Sequence, residues 1–216
     1  MTLRAILFDL DGTLIDQFQA IYTAFSQVIS QMGFPVPDFD TVKKSVGGAS
    51  EATMGKLIGQ ENAKQSVELL RPIFEKEMLN GLKALPGSLE VLNFCEMNNI
   101  KAAVLTNKHG PHARAVCEHL QFSQKLDFIM GANDTEWKKP DPQLTNLALE
   151  KMGSSKDDTI YVGDSPYDQK TAQNAGMRCL LVSTGTHTEN ELKKDGPVIV
   201  ESNLLNLLEN QIKPLL

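Results

Sequence analysis

Four short apolar runs, each ended by a polar residue, constrain this chain more than anything else in its sequence. Ala5-Ile6-Leu7-Phe8 stops at Asp9, Ala102-Ala103-Val104-Leu105 at Thr106, Ile160-Tyr161-Val162 at Gly163-Asp164, and Cys179-Leu180-Leu181-Val182 at Ser183. A continuous apolar run of strand length implies burial on both faces, and such strands belong in parallel sheets covered by helices on both sides. Segments of helical length lie at 88–98, 111–120, 142–152 and 168–175, so strand and helix alternate from Leu85 onwards. The pattern predicts an α/β fold built on a doubly wound, Rossmann-like parallel sheet. Ligands of such sheets bind beyond the carboxyl ends of the strands, where these polar residues stand.

The alternation fails between residues 16 and 83. Phe18, Ile21, Tyr22, Phe25, Val28, Ile29 and Met32 recur at steps of three and four, one face of a helix, with Asp16 as its expected N-cap. Beyond the turn Gly33-Phe34-Pro35-Val36-Pro37, helical patterns continue at 41–46, 49–58 and 63–79. The expected organisation is therefore an α/β core made of residues 1–15 and 84–216, with a small all-helical domain, residues 16–83, inserted after the first strand. A chain of 216 residues is long enough for both.

Composition narrows the function. The 21 Lys and Arg residues are scattered among 27 Asp and Glu, leaving a net charge of −6, so no basic face suited to nucleic acid is expected. Cys95, Cys117 and Cys179 are odd in number, far apart and without a CxxC, which argues against a disulfide framework or zinc site. Arg4, Asp9 and Asp11 interrupt the start of the chain before any long apolar run develops, and a soluble, cytoplasmic protein without a membrane span is expected. Nothing in the sequence speaks to oligomeric state.

Asp9-Leu10-Asp11-Gly12-Thr13 sets two carboxylates two residues apart at a strand end, so both can face one pocket. Desolvating two like charges is expensive unless a cation compensates, and with Asp164 at a neighbouring strand end the hard oxygen donors suit Mg²⁺. Lys139, in Lys138-Lys139-Pro140-Asp141-Pro142, supplies a point charge, while Thr106 and Asn107 supply a hydroxyl and an amide. Such a set can hold phosphoryl oxygens while a carboxylate attacks in line.

These motifs resemble one family, the haloacid dehalogenase superfamily, and within it the phosphatases similar to phosphoglycolate phosphatase. The resemblance rests on Asp9-Leu10-Asp11-Gly12-Thr13-Leu14, Leu105-Thr106-Asn107-Lys108, Lys139-Pro140-Asp141-Pro142 and Val162-Gly163-Asp164-Ser165-Pro166-Tyr167-Asp168, in that order, and on Ala172-Gln173-Asn174-Ala175-Gly176-Met177 after them. It spans the core and hardly touches the insertion, which corresponds to the family's cap. It implies a Mg²⁺-dependent phosphatase acting on a small phosphorylated metabolite through an aspartyl-phosphate. Asp9 becomes the nucleophile and a metal ligand, and Asp11 the general acid and base, its backbone carbonyl a further ligand. Asp164 becomes the metal-binding carboxylate, and Asp168 a second acid that binds metal-bound water or orients Lys139. Lys139 neutralises nucleophile and phosphate; Thr106 and Asn107, with Gly12 and Thr13, are the candidate substrate-binding residues.

Gln17 departs from the serine that many relatives carry there, and Gly47-Gly48 lies near the family's substrate-reading loop. A dehalogenase would not need Asp11 or Mg²⁺; a phosphomutase would use the same acids; a binding protein would commonly have lost one of them. Elsewhere plainer roles are expected. His109 and His112, despite their HxxH spacing, mark a loop and helix start around Gly110-Pro111. Leu204, Leu205, Leu207, Leu208 and Ile212 form a C-terminal helix on the chain's own core, Lys43 and Lys44 a solvated helix face, and Lys138 a solvated loop residue.

Overall fold

The computed structural model describes residues 2–216. In chain order its strands are β1 (Ala5–Phe8), β2 (Ile15–Asp16), β3 (Lys83–Ala84), β4 (Lys101–Leu105), β5 (Phe128–Met130), β6 (Thr159–Gly163), β7 (Arg178–Val182) and β8 (Ile199–Glu201). Six of them form one sheet in the order β5-β4-β1-β6-β7-β8, every pairing parallel. The chain winds outward from β1 to β5 on one side and then crosses to β6 on the other. β1 thus stands at the switch point, where open α/β sheets bind ligands.

The apolar runs divide between the two faces at the strand period of two. Ile6, Phe8, Ala102, Val104, Ile160, Val162, Leu180 and Val182 point to one side. There they meet α5 (Ser88–Met97), α6 (Gly110–His119) and the C-terminal segment, which begins as a short helix at Leu204–Leu207. Ala5, Leu7, Ala103, Leu105 and Tyr161 point to the other, against α7 (Pro142–Met152) and α8 (Pro166–Asn174). Leu204, Leu207, Leu208 and Ile212 are buried in the first cluster, while Leu205 is exposed. Cys95 and Cys117 are buried, Cys179 is partly so, and none is disulfide-bonded. Among the described residues no helix is long and apolar enough to cross a membrane.

Between β2 and β3 lie α1 (Phe18–Gln31), α2 (Phe39–Ser45), α3 (Ser50–Ile58) and α4 (Gln60–Glu77). Phe18, Ile21, Phe25, Val28 and Ile29 of α1 share a cluster of their own with Val42, Met54, Ile58, Leu70 and Phe74. Gln17, rather than Asp16, occupies the N-cap position of α1, and it makes no capping bond. Asp16 is already paired in β2 and serves the helix differently, its Oδ1 accepting from the Phe18 N–H at 3.2 Å. The two ends of the insertion lie side by side, because Ile15 pairs with Ala84 and Asp16 with Lys83 in an antiparallel ribbon. Ser88 pins the return by donating to the Leu14 carbonyl at 2.7 Å.

Phe122 follows α6 and is fully buried in the first cluster, away from the strand ends. Phe122→Ala is expected to lower unfolding stability by about 3–5 kcal/mol through lost burial and the cavity left behind. Urea denaturation checks this, and a loss below about 1 kcal/mol would contradict the packing.

Candidate active site

β1 ends at Asp9, whose N–H donates to the Val162 carbonyl at 2.9 Å and so ties the exit of β1 to that of β6. The chain then turns through Gly12, at φ +86°. A Cβ on Gly12 would stand 2.7 Å from Asp164 Oδ2 and 2.8 Å from Gly185 Cα, so only glycine permits this approach. Asp164 ends β6. Its Oδ1 accepts from the Thr13 hydroxyl at 3.2 Å, and its Oδ2 from the Thr186 N–H at 2.9 Å and hydroxyl at 3.2 Å. Gly12 and Thr13 are thus placed against this carboxylate, and neither lines the cavity described below.

Lys139, in the loop before α7, is buried. Its ammonium donates to Asp168 Oδ1 at 2.7 Å and the Tyr161 hydroxyl at 3.1 Å. It also lies 2.9 Å from Asp9 Oδ1, an ion pair without the alignment of a hydrogen bond. Asn107 clamps the lysine's backbone: Oδ1 accepts from the Lys139 N–H at 3.0 Å, and Nδ2 donates to the carbonyls of Lys139 at 3.1 Å and Gly47 at 3.0 Å. Neither Thr106 nor Asn107 caps α6, whose N-cap position is His109. Thr106 is buried beside Asp9, its Oγ1 accepting from the Lys108 N–H at 3.2 Å. Asp168 stands third in α8 and forms a capping box with Ser165. Its Oδ2 accepts from the N–H groups of Asp164 and Ser165 and from the Ser165 hydroxyl. Both oxygens of Asp168 are therefore engaged.

Asp9, Asp164 and Asp168 are all buried, and each offers an oxygen within 4.8 Å of the others'. Against three carboxylates stands one buried ammonium. Burial drives the Asp9 carboxyl up to about 6, with Lys139 opposing the rise and Asp168 adding to it. Burial also pushes Asp164 well up, helped by the charges of Asp168 and Asp9. Burial works against the charge of Lys139, yet Asp168 and Asp9 hold its pKa well above the ordinary value. The surplus of buried negative charge, the all-oxygen donor set and the unbonded Asp9 Oδ1 fit a divalent cation of the hard class.

Sequence reasoning missed Lys108 and the use made of Gln17. Lys108 Nζ donates to Asp11 Oδ2 at 3.0 Å, to Asp11 Oδ1 at 3.2 Å and to Gln17 Oε1. It also lies 4.7 Å from the centre of the Phe74 ring. Gln17 is buried, and its Nε2 donates to the Met78 carbonyl at the end of α4. The departure from serine at position 17 was the one available signal. Lys44 pairs with Glu191 at 2.9 Å, and Lys43 lies over the Phe18 ring. Lys138 is exposed where Lys139 is buried. His109 and His112 stand 4.5 Å apart, edge to face, outside the carboxylate cluster.

A cavity of about 170 Å³ opens over Asp9 and Asp11. Thr106, Asn107 and Lys108 line it from the sheet side, and Ile21, Phe25, Gly47, Gly48, Leu70 and Phe74 from the insertion. It is smaller than the roughly 300–1,000 Å³ of drug-sized ligand sites and suits a small metabolite.

Residues 6–182 match the family model described as haloacid dehalogenase-like hydrolase. A phosphoglycolate phosphatase of Aquifex aeolicus is 29% identical over 210 residues, which cover 97% of this chain and 99% of that one. Phosphoglycolate phosphatase 1 of Pseudomonas aeruginosa is 25% identical over 215 residues, 95% of this chain and 78% of its own. Among solved structures, a haloacid dehalogenase-like family hydrolase from Streptococcus pneumoniae superposes with a TM-score of 0.85 at 22% identity, covering 96% of this chain and 98% of the other, and speaks for the fold. With its strand-end carboxylates, its parallel sheet and a family match over most of its length, this chain belongs to the haloacid dehalogenase-like hydrolases.

Proposed function

We propose that this hydrolase is a Mg²⁺-dependent phosphatase that cleaves a small phosphomonoester of the phosphoglycolate kind through an aspartyl-phosphate on Asp9. The observation that carries this is the placement of Asp9, buried at the switch point of the sheet, paired with Lys139 and lining a small cavity together with Asp11. The relatives named phosphoglycolate phosphatase support the substrate class. Residues 16–83 act as a cap domain on a core of residues 1–15 and 84–216. The enzyme works in the cytoplasm, where its free thiols stay reduced.

The Asp9 carboxylate attacks phosphorus in line, and the bond from phosphorus to the leaving oxygen breaks. Asp11 gives that oxygen its proton and then, as a carboxylate, takes a proton from the water that attacks the aspartyl-phosphate. Inorganic phosphate leaves and Asp9 is regenerated. Thr106, Asn107 and Lys139 bind the phosphoryl oxygens, and the ammonium of Lys139 offsets charge on nucleophile and phosphate. Lys108 holds both oxygens of Asp11, which fixes the proton donor over the cavity. Asp9, Asp164 and the main-chain carbonyl of Asp11 would hold Mg²⁺, which when bound would supply positive charge to the transferring group. Asp168, its oxygens already engaged, orients Lys139. Thr13 and Gly12 act one step back, shaping the Asp164 carboxylate.

Three measurements test this. Phosphate release from phosphoglycolate is expected to stop with a chelator, return with Mg²⁺, and fall by roughly 10³-fold or more in Asp9→Asn. Retained turnover in that variant, or an isomerised product without free phosphate, would overturn it. Mg²⁺ binding, followed by isothermal titration, should weaken steeply from about pH 8 to about pH 5. The sign follows from the raised Asp9 pKa of about 6, below which a proton competes for the ligand oxygens; affinity independent of pH would contradict the ligand set. Lys108→Met is expected to lower kcat by about 10–10²-fold with little change in KM, because Asp11 loses its hold while the phosphate grip stays. An unchanged kcat would remove Lys108 from the catalytic arrangement.

A further inference from the structure

The part of α4 that faces the cavity carries Val67, Leu70, Arg71 and Phe74, positions i, i+3, i+4 and i+7 of one helical face. Three are apolar, and with Ile21 and Phe25 of α1 they make an apolar roof. Arg71 breaks that pattern. Arg71 is exposed to solvent while lining the cavity, the one charged member of an otherwise apolar, pocket-facing stripe. Yet no carboxylate among the described residues lies within ion-pair distance of Arg71. Glu75, one turn on, is within 3.3 Å of His112 Nε2 instead.

The surroundings leave this charge available. Lys108, another cation lining the cavity, is taken up by Asp11 and Gln17. His109 lines the same wall, and burial, His112 and Arg71 lower its pKa, so its ring is neutral near pH 7. Burial likewise lowers that of His112. Among the described residues lining the cavity, Arg71 and the exposed Lys138 have no carboxylate within ion-pair distance, and Arg71 is the one carried by the apolar stripe of α4, near two neutral imidazoles. One planar guanidinium matches one carboxylate in a bidentate pair, whereas a second phosphate dianion would call for more positive charge.

We propose that Arg71 is the specificity-determining residue of the cavity and pairs with a carboxylate on the substrate, so that the preferred substrates are phosphorylated carboxylic acids rather than neutral phosphomonoesters. This deepens the phosphatase reading and rests on it for the end of the cavity at which the phosphate lies.

The test compares phosphoglycolate with ethyl phosphate, which has the same two-carbon skeleton without the carboxylate. Equilibrium binding to the Asp9→Asn protein with Mg²⁺, and kcat/KM for the protein with Asp9 intact, are measured for Arg71, Arg71→Lys, Arg71→Ala and, as a control at the other unpaired cation lining the cavity, Lys138→Ala. Arg71→Ala is expected to weaken phosphoglycolate binding and kcat/KM by about 10–100-fold, the range of a charge-assisted pair. Ethyl phosphate should change by less than about threefold, and Arg71→Lys should fall between. Equal losses for both compounds, or a selective loss in Lys138→Ala instead, would overturn the assignment. Selective binding lost in Arg71→Ala without Asp9-dependent turnover of either compound would support the anion site and overturn the phosphatase reading. Asp9-dependent turnover that is indifferent to the carboxylate would do the reverse.

Discussion

The buried ammonium of Lys139 is the interaction on which the arrangement of this site depends. Three carboxylates from the ends of β1 and β6 and the start of α8 come within reach of one another in an environment that penalises each charge. Without a cation among them the loops that carry them would separate or the acids would take up protons. Lys139 touches two of the three, and its position is imposed from outside the cluster by Asn107, which grips its backbone at both the N–H and the carbonyl. The charge balance remains incomplete with the lysine alone. An incomplete balance is what a site that binds a divalent ion and then a phosphate dianion requires.

The sheet supplies the rest of the precision. Asp9, Asp11, Thr106, Asn107, Lys108, Lys139 and Asp164 leave strand ends or the loops beyond them and Asp168 the first turn of α8, and the central strands are packed on both faces. Asp164 shows how far this goes. Backbone of Gly12 and Gly185 crowds it so closely that no side chain fits at either position, and hydroxyls from Thr13 and Thr186 fix both oxygens. The helical insertion meets this rigid platform through few polar links, among them Asn107 to Gly47, Lys44 to Glu191 and Lys108 to Gln17.

The four central strands were legible in the sequence because burial on both faces leaves an uninterrupted apolar run. The edge strands were not. Phe128–Met130 and Ile199–Glu201 are three residues each, only partly buried, and the second ends in a charge. The helices of the insertion were legible from their period, although the start of the first was misplaced because Asp16 is held in β2. In the site, the residues with motif signatures come together at the strand ends, while Lys108, Tyr161, Thr186 and the contacts made by Gln17 escaped notice. Their contacts join positions far apart in the chain, Lys108 to Asp11 and Thr186 to Asp164, and nothing local announces them. Tyr161 read as a core strand residue, which its ring is; only the fold shows its hydroxyl between Leu105 and Lys139.

The ribbon of β2 and β3 has a consequence for how the chain finds this structure. The central pairing of the sheet joins Ala5 to Lys101, a long loop to close from an extended chain. Once the four helices have condensed and Ile15 meets Ala84, most of that loop is already closed, and the stretch left to close between β1 and β4 is much shorter. Local helical contacts form before distant strand pairings in chains of this kind. Closing the ribbon of the insertion first would shorten the search by which the strand that ends at Asp9 finds its neighbour.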